Sequence, residues 1–227
     1  VEDKVADIGI VGLNEVEEKD KNVQIIDRLG FSKCRVSLAI PKSEDYQGME
    51  YFNGKVIATS YPVILKKFLD QNNINADIHQ ISGSVEIAPG IGLADAIFDI
   101  VSSGSTLISN GLKEVEVVLQ SEAVIIGNKN IEPEKQELID ELIFRFHSVQ
   151  KAEKNKYILL NAPNERLNEI IDLLPGMKSP TVMPLAEEGW SSVHSVIAEN
   201  NFWKIIGKLK EKGAQGILVI PIEKMIT

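Results

Sequence analysis

The sequence of 227 residues predicts an α/β protein in two parts. In the first part, short apolar strands alternate with amphipathic helices, which is typical of a mostly parallel sheet flanked by helices. From Asn155 onward the pattern becomes strand, helix, strand, strand, helix, strand, which is the order of a ferredoxin-like domain. A hydrophobic content of 44% and a charged content of 25% suit an ordinary globular protein.

Apolar runs predict the strands of the first part. They cover residues 5–11, 34–40, 55–58, 76–81 and 115–126. Their aliphatic and β-branched side chains favour extended structure, and the last run is long enough for two strands. Asp7 lies inside the first run. A carboxylate is costly to bury without a partner, so we expect Asp7 to face a ligand cleft or to pair with a cation.

Three helices are predicted in the first part, over residues 63–72, 90–98 and 132–151. The first follows a strand, a capping hydroxyl and Pro62 near the first turn. Ligands of α/β sheets bind beyond the carboxyl ends of strands, so Ser60 and Tyr61 are candidates to line a pocket. For Tyr61 the alternative is a hydrogen-bonded position at the edge of the core.

The segment Asp99-Ile-Val-Ser-Ser-Gly-Ser-Thr106 has the composition of a phosphate-binding turn. Backbone N–H groups of such a turn point into one concavity, a helix N-terminus adds positive charge, and hydroxyls donate to phosphate oxygens. Gly104 permits a positive φ or a close backbone approach. Asp99 would repel a bare phosphate, so its expected partner is a magnesium ion or a sugar hydroxyl. A phosphorylated sugar fits both features.

The second part supplies the six elements of the ferredoxin-like pattern. Strands are predicted over residues 156–162, 181–185, 191–198 and 216–221, and helices over 165–174 and 201–212. Their order is the signature of a ferredoxin-like fold, which many small-molecule-sensing regulatory domains use.

Charge and composition exclude several classes of function. A net charge of −9 and a pI near 5.0 argue against nucleic-acid binding, which draws its affinity from clustered Lys and Arg. No apolar run is long enough to span a membrane and no secretion signal is visible, so a cytoplasmic protein is expected. Cys34 is the single cysteine, and the three histidines are scattered, so no metal site made of protein side chains is predicted.

Residues 83–111 closely resemble ATP phosphoribosyltransferase, the family that opens histidine biosynthesis. The positions that match the family signature are Glu86, Gly92, Asp99, Ser103, Gly104, Thr106 and Leu107. The segments VADIGIVG, IATSYP, LNAPNERL, LLPGMKSPTVMPLA and GILVIPIEKMI look like the long form of the enzyme. The resemblance therefore covers almost the whole chain.

The resemblance implies two catalytic lobes that resemble a periplasmic-binding-protein fold, followed by a regulatory domain. Lobe one is expected at residues 1–33 and 112–152, lobe two at 34–111, and the regulatory domain at 153–227. The chain opens at Val1 within an apolar region, so we expect an N-terminal part of lobe one to be absent from this sequence.

The resemblance also implies the reaction, in which N1 of the ATP adenine joins C1 of phosphoribosyl pyrophosphate and pyrophosphate leaves. Asp99 is assigned to the ribose hydroxyls, Mg²⁺ is the expected cofactor, and Ser102, Ser103, Gly104, Ser105 and Thr106 are assigned to the 5′-phosphate. For Glu86, a catalytic role in the cleft competes with a capping or salt-bridge role.

The nucleotide is assigned to Ser60, Tyr61, Arg35 and Asp7. For Arg35, a surface ion pair is the alternative to contact with a phosphate.

For the regulatory domain the resemblance implies histidine as a feedback inhibitor, and exchange of a homodimer with a hexamer. The matching effector positions are Asn161, Met177, Ser179 and Thr181. The alternative interpretation of this segment is a helix stop followed by a strand start. For the whole chain, the alternative function is a non-catalytic two-lobed ligand-binding protein or regulatory paralogue.

Overall fold

A computed structural model of the protein describes residues 1–174 and 176–226 and divides into two units, Val1–Glu132 and the chain from Pro133 onward. In chain order the first unit contains β1 (Ile8–Gly12), α1 (Leu13–Lys19), β2 (Val23–Arg28), β3 (Cys34–Pro41), β4 (Val56–Thr59), α2 (Pro62–Gln71), β5 (Asp77–Gln80), β6 (Ala96–Val101), α3 (Ser105–Ser109), β7 (Leu112–Ser121) and β8 (Ala123–Asn128).

The larger sheet of the first unit has the strand order β5-β4-β6-β3-β7. β4 is parallel to β5 and β6, whereas β3 is antiparallel to both β6 and β7, so β3 alone is reversed. Alternate strand residues pack on opposite faces. Val36, Leu38 and Phe98 join the cluster that buries α2, and Ala39, Ile97 and Val101 join the cluster that buries Leu107 of α3.

The smaller sheet has the order β1-β8-β2, and β8 is antiparallel to both neighbours. The expectation of a mostly parallel sheet therefore holds for the larger sheet only in that every strand except β3 runs in the same direction. It is wrong for the smaller sheet, in which both pairs are antiparallel. In each sheet a reversed strand, β3 or β8, separates two strands that a short helix connects. Such an insertion depends on contacts between distant parts of the chain, which local periodicity does not report.

The helix predicted over residues 90–98 is wrong. The chain makes turns up to Asp95, and β6 occupies Ala96–Val101. Gly92 has a φ of +73°, which ends regular helix, and β6 forms ladders with both β3 and β4. Pairing on both sides therefore outweighs the local helical pattern.

The second unit begins with α4 (Pro133–Glu153) and continues with β9 (Asn155–Pro163), α5 (Leu167–Leu173), β10 (Thr181–Pro184), β11 (Trp190–Ala198), α6 (Glu199–Glu211) and β12 (Gln215–Pro221). Its sheet has the order β10-β11-β9-β12, and every pair is antiparallel. Ile158, Leu160 and Val193 are fully buried in a cluster that α5 and α6 cover. The predicted ferredoxin-like order is confirmed.

The lobe limits derived from the sequence stay a prediction. β7 pairs with β3 of the larger sheet, and residue 122 connects it directly to β8 of the smaller sheet. Helix α4 belongs to the second unit.

Candidate active site

A cavity of about 280 Å³ lies at the carboxyl end of β6. Its walls carry two carboxylates, Glu86 and Asp99, and a turn rich in hydroxyl groups. The apolar side chains of Ile97, Val101 and Leu107 also line the cavity. The cavity thus combines a polar turn with acidic groups at the edge of the sheet where α/β proteins bind ligands.

The turn between β6 and α3 depends on Gly104. Its φ is +80°, in the left-handed region, and it is the residue that precedes α3. A Cβ at this position would approach only Val101, at 3.9 Å, so the backbone conformation rather than space calls for glycine. The hydroxyls of Ser103 and Ser105 lie 2.9 Å apart, and the Ser105 N–H donates to Ser103 Oγ at 3.3 Å. Both side chains are exposed and available to a ligand.

Arg35 fixes the base of this turn. Its Nη1 donates to the carbonyl oxygen of Ser102 at 2.9 Å, while Nε and Nη2 donate to the two carboxylate oxygens of Glu114 at 2.5 and 2.6 Å. Ser37 Oγ donates to the same carboxylate at 2.6 Å. The hydrogen bonds from Arg35, and then Ser37, lower the pKa of Glu114 against the opposing effect of partial burial. The bidentate pair therefore orients Arg35 towards the turn.

Asp99 is half-buried on β6 and receives a hydrogen bond from the N–H of Ile100 at 2.8 Å. Burial raises the pKa of Asp99, the negative charge of Glu86 raises it further, and the Ile100 N–H opposes both effects. The ionised carboxylate is thus less stabilised by protein partners than that of Glu114. It is suited to accept hydrogen bonds from hydroxyl groups or to meet a cation.

Tyr61 lies in the turn between β4 and α2. Its backbone N–H donates to Thr59 Oγ1 at 2.8 Å, and its hydroxyl oxygen accepts a hydrogen bond from Asn14 Nδ2 at 3.3 Å. Burial, followed by the negative charges of Glu15 and Asp99, raises the pKa of Tyr61 to about 12. The hydroxyl is therefore protonated at neutral pH and able to donate a hydrogen bond.

Glu18, rather than a hydroxyl, caps α2. The helix follows Tyr61 without a side-chain bond from that residue. The buried carboxylate of Glu18 on α1 instead accepts hydrogen bonds from the N–H groups of Val63 and Ile64 at 3.0–3.1 Å. Ser60 Oγ donates to the carbonyl oxygen of Ile81 at 2.9 Å. A capping partner from a distant helix leaves no mark in the local sequence.

The structure brings together part of the predicted site. Glu86, Asp99, Ser102, Ser103, Gly104 and Thr106 line one cavity. Arg35 supports the turn from below, and Asp99 is close enough to Tyr61 to act on its pKa. Asp7 is exposed in the bend before β1, rather than inside the strand, and is not among the residues that line this cavity.

The predicted effector residues lie on separate elements of the second unit. Asn161 is half-buried on β9, opposite Ser192 on β11 and Gln215 on β12. Thr181 begins the edge strand β10, opposite His194. Met177 and Ser179 are exposed before this strand. The strand β11 lies between β9 and β10, so Asn161 and Thr181 flank it on opposite sides.

Sequence reasoning missed the residues that organise the site from a distance, which are Asn14, Glu15, Glu18, Ser37, Glu114 and Ser121. One weak signal was present for Asn14. A Cβ at Gly12 would lie 2.5 Å from Asn14 Oδ1, so glycine at the end of β1 makes room for that amide.

Residues 1–174 and 176–226 contain no group of three or more His, Cys, Asp or Glu side chains arranged to hold a metal ion. Over the same residues, no helix is long and apolar enough to cross a membrane.

Comparison with known proteins gives matches over both parts of the chain. The family model of ATP phosphoribosyltransferase matches residues 1–148, and the model described as "HisG, C-terminal domain" matches residues 152–224. The chain is 68% identical over 222 residues to the ATP phosphoribosyltransferase of Phocaeicola vulgatus, a match that covers 98% of this chain and 78% of the relative. It is 61% identical over 226 residues to that of Cytophaga hutchinsonii, covering 100% and 79%.

Among solved structures, the ATP phosphoribosyl transferase (HisG:HisZ) complex from Thermotoga maritima matches with a TM-score of 0.56 and 27% identity. The match covers 63% of this chain and 69% of that one. Together with the C-terminal family match, it confirms the predicted fold class, an α/β catalytic region followed by a ferredoxin-like domain.

Proposed function

Because the chain belongs to the ATP phosphoribosyltransferase family, we propose that the cavity at the end of β6 binds phosphoribosyl pyrophosphate and that ATP binds beside it, near Tyr61. In this reaction adenine N1 forms a bond to ribose C1 as the bond from C1 to pyrophosphate breaks. The products are phosphoribosyl-ATP and pyrophosphate, in the first step of histidine biosynthesis.

The observation that carries this proposal is that two carboxylates and an open turn rich in hydroxyl groups line the same cavity. The backbone N–H groups and hydroxyls of residues 102–106 hold the 5′-phosphate, with Gly104 giving the turn its conformation. Asp99 accepts hydrogen bonds from the ribose hydroxyls. Its negative charge also stabilises the positive charge that develops on the ribose as pyrophosphate leaves. Glu86 adds a second negative charge at the same ribose.

The nucleotide contacts proposed from the sequence are Ser60, Tyr61, Arg35 and Asp7. Tyr61 has the most support, because its protonated hydroxyl is close enough to Glu15 and Asp99 for both carboxylates to raise its pKa. Arg35 has its three donor groups engaged with Glu114 and Ser102, which supports a role in holding the turn next to the nucleotide.

Mg²⁺ fits the donor set as a partner of the substrate rather than as an ion held by protein alone. Glu86 raises the pKa of Asp99, so a cation near the two carboxylates would relieve their repulsion. Mg²⁺ commonly takes one or two carboxylates together with substrate phosphates. When bound, it would neutralise charge on the departing pyrophosphate.

Histidine inhibition and exchange between a homodimer and a hexamer form the regulatory part of the proposal. Asn161, Met177, Ser179 and Thr181 are the proposed effector contacts, and the match of the C-terminal family model supports this role for the second unit. Coupling requires histidine to bind two assembly states with different affinity. A cytoplasmic location is proposed with it, since this is where a biosynthetic enzyme meets ATP.

The catalytic proposal is tested by following phosphoribosyl-ATP formation from ATP and phosphoribosyl pyrophosphate with the wild type and Asp99→Ala. Product formed by the wild type and lost in the variant supports the assignment. Equal binding of phosphoribosyl pyrophosphate by both proteins, measured by calorimetry, would remove Asp99 from the site. Asp77→Asn, an exposed acid on β5, is the matched control and is expected to keep full activity.

The effector proposal is tested by Thr181→Ala. The variant is expected to need a higher histidine concentration for half inhibition while its uninhibited turnover stays close to that of the wild type. Unchanged inhibition would exclude Thr181 from the effector site.

A further inference from the structure

A chain of directed hydrogen bonds runs from the junction of β7 and β8 to the hydroxyl of Tyr61. The N–H of Asn14 donates to Ser121 Oγ at 3.1 Å, and Ser121 Oγ donates to Asn14 Oδ1 at 2.8 Å. Asn14 Nδ2 then donates to the Tyr61 hydroxyl oxygen at 3.3 Å. Asn14 and Ser121 are 5% and 4% exposed, so water does not compete for these bonds.

Three neighbours fix the orientation of the Asn14 amide. Ser121 supplies a proton to Oδ1, which makes that end of the amide the acceptor. On the other side, Nδ2 lies 3.4 Å from Glu15 Oε1, and an ionised carboxylate only accepts. Gly12 leaves the space that Oδ1 occupies. The amide nitrogen therefore faces Tyr61.

The consequence for Tyr61 follows from its single proton. Asn14 Nδ2 has no lone pair to offer, so the Tyr61 oxygen accepts from it and the hydroxyl proton must point elsewhere. Glu15, whose Oε1 lies 3.4 Å from the Asn14 amide nitrogen, and Asp99 are both close enough to the Tyr61 hydroxyl to raise its pKa, after the larger effect of burial. Because its oxygen accepts from Asn14, the hydroxyl is oriented as a donor away from that amide.

We propose that Asn14, held by Ser121, is a positioning residue that directs the Tyr61 hydroxyl as a hydrogen-bond donor to the bound nucleotide. This inference rests on the proposed function, because it takes the ligand beside Tyr61 to be ATP. Under this proposal Asn14 affects ATP binding only through Tyr61, whereas a purely structural residue would act independently of Tyr61.

The kinetic test is a double-mutant cycle of Asn14→Ala and Tyr61→Phe, with phosphoribosyl-ATP formation measured at varied ATP. Each single variant is expected to raise the KM for ATP about tenfold, the value of one hydrogen bond to a ligand, and to leave kcat and the KM for phosphoribosyl pyrophosphate near the wild type. The double variant is expected to match Tyr61→Phe. Asn130→Ala, an exposed asparagine, is the control for removal of an amide and is expected to have no effect.

A second measurement reads the hydrogen bond without using activity. In protein labelled with 3-fluorotyrosine, the four tyrosines give separate ¹⁹F resonances, and the Tyr61 signal is the one missing from Tyr61→Phe. Donation from Asn14 lowers the pKa of Tyr61, so Asn14→Ala should raise the pKa followed by this signal. Ser121→Ala, which frees the amide to turn, should move it in the same direction by less.

An unmoved pKa in Asn14→Ala would overturn the inference. So would a KM effect of Asn14→Ala that is equally large in the Tyr61→Phe background, or a Tyr61→Phe variant with the KM of the wild type. These outcomes are distinct from failure of the proposed function, which is decided by product formation in the wild type and its loss in Asp99→Ala.

Discussion

Helices α2 and α3 follow neighbouring parallel strands of one sheet, yet their N-terminal amide groups have different partners. At α2, the Glu18 carboxylate accepts hydrogen bonds from Val63 and Ile64. At α3, the N–H of Ser105 donates to the hydroxyl of Ser103. Within the described chain, the N–H groups of the next two helical residues have no such acceptor. Two helix N-termini, each with a partial positive charge, thus lie at the same edge of the sheet. The carboxylate of Glu18 occupies the N-terminus of α2.

The two carboxylates nearest these turns differ in the same way. Glu18 is buried and accepts hydrogen bonds from the N–H groups of two residues. Asp99 receives one N–H and has a raised pKa. Their hydrogen-bond partners therefore separate Glu18, a structural carboxylate, from Asp99, the carboxylate proposed to act in catalysis. Variants at α2 should therefore reduce stability, and variants at α3 should reduce activity.

The largest effect is expected from Asp99→Asn. The amide keeps the shape of the side chain but loses the charge that is proposed to stabilise the ribose in the transition state, so kcat should fall at least about 100-fold. At pH 7 the free energy of unfolding should not fall, because the native state no longer buries this ionised group. Activity assays measure kcat and urea unfolding measures the free energy of unfolding. A large loss of stability with retained activity would show that Asp99 is a structural rather than a catalytic carboxylate.

Glu18→Ala should show the opposite pattern. Loss of the carboxylate leaves the N–H groups of Val63 and Ile64 without their partner in a buried position, so the free energy of unfolding should fall by about 2 kcal/mol. Urea unfolding measures this change, and Glu17→Ala on the same helix is the matched control. Residual kcat well above that of Asp99→Asn is expected. Equal stability of the variant and the wild type would contradict the capping role.

Gly104→Ala should have an intermediate effect on both properties. Alanine at a φ of +80° costs about 1 kcal/mol of stability, and strain in the turn should raise the KM for phosphoribosyl pyrophosphate severalfold. Gly54 has a φ of +72°, with nothing within 4 Å of an added Cβ, and it lies outside the cavity. Gly54→Ala is therefore the control for backbone strain without a change in the cavity. A similar rise in the KM for phosphoribosyl pyrophosphate in both variants would show that the turn at Gly104 does not contact the phosphate.

The smallest expected effect is a pH dependence of stability. The native pKa of Asp99 is above its ordinary value of 3.8, so the folded protein holds this proton more tightly than the unfolded chain. The contribution of Asp99 to stability therefore falls as pH rises through the window above 3.8. Relative to the wild type, Asp99→Asn should gain stability between pH 4 and pH 7, as measured by urea midpoints. A constant difference would show that Asp99 titrates normally.

The sequence was sufficient for those parts of the molecule that depend on local order. The β-α-β-β-α-β pattern gave the second unit, and the run from Asp99 to Thr106 gave one wall of the cavity. Each depends on residues close together in the chain, whose periodicity or turn chemistry carries the information.

The remainder depends on pairing between distant residues. Glu18 caps a helix 45 residues away, and Asn14 is held by Ser121, which is 107 residues away. The reversed strands β3 and β8 also pair with strands that are far away in the sequence. Strand β6 forms where a helix was predicted because it pairs with β3 and β4 on its two sides. A single sequence records such contacts only indirectly, as in the glycine that makes room for Asn14.

The direct passage of β7 into β8 has a mechanical consequence. The two sheets of the first unit are connected along the chain at two short crossings, residues 29–33 and residue 122. Any rotation of one sheet against the other about these crossings would have to break the bonds from Val63 and Ile64 to Glu18, because these bonds connect α1 to α2. Hydrogen exchange at these two amides would therefore report such a rotation, and bound substrate that restricts it should slow the exchange. Exchange unaffected by substrate would place the motion elsewhere.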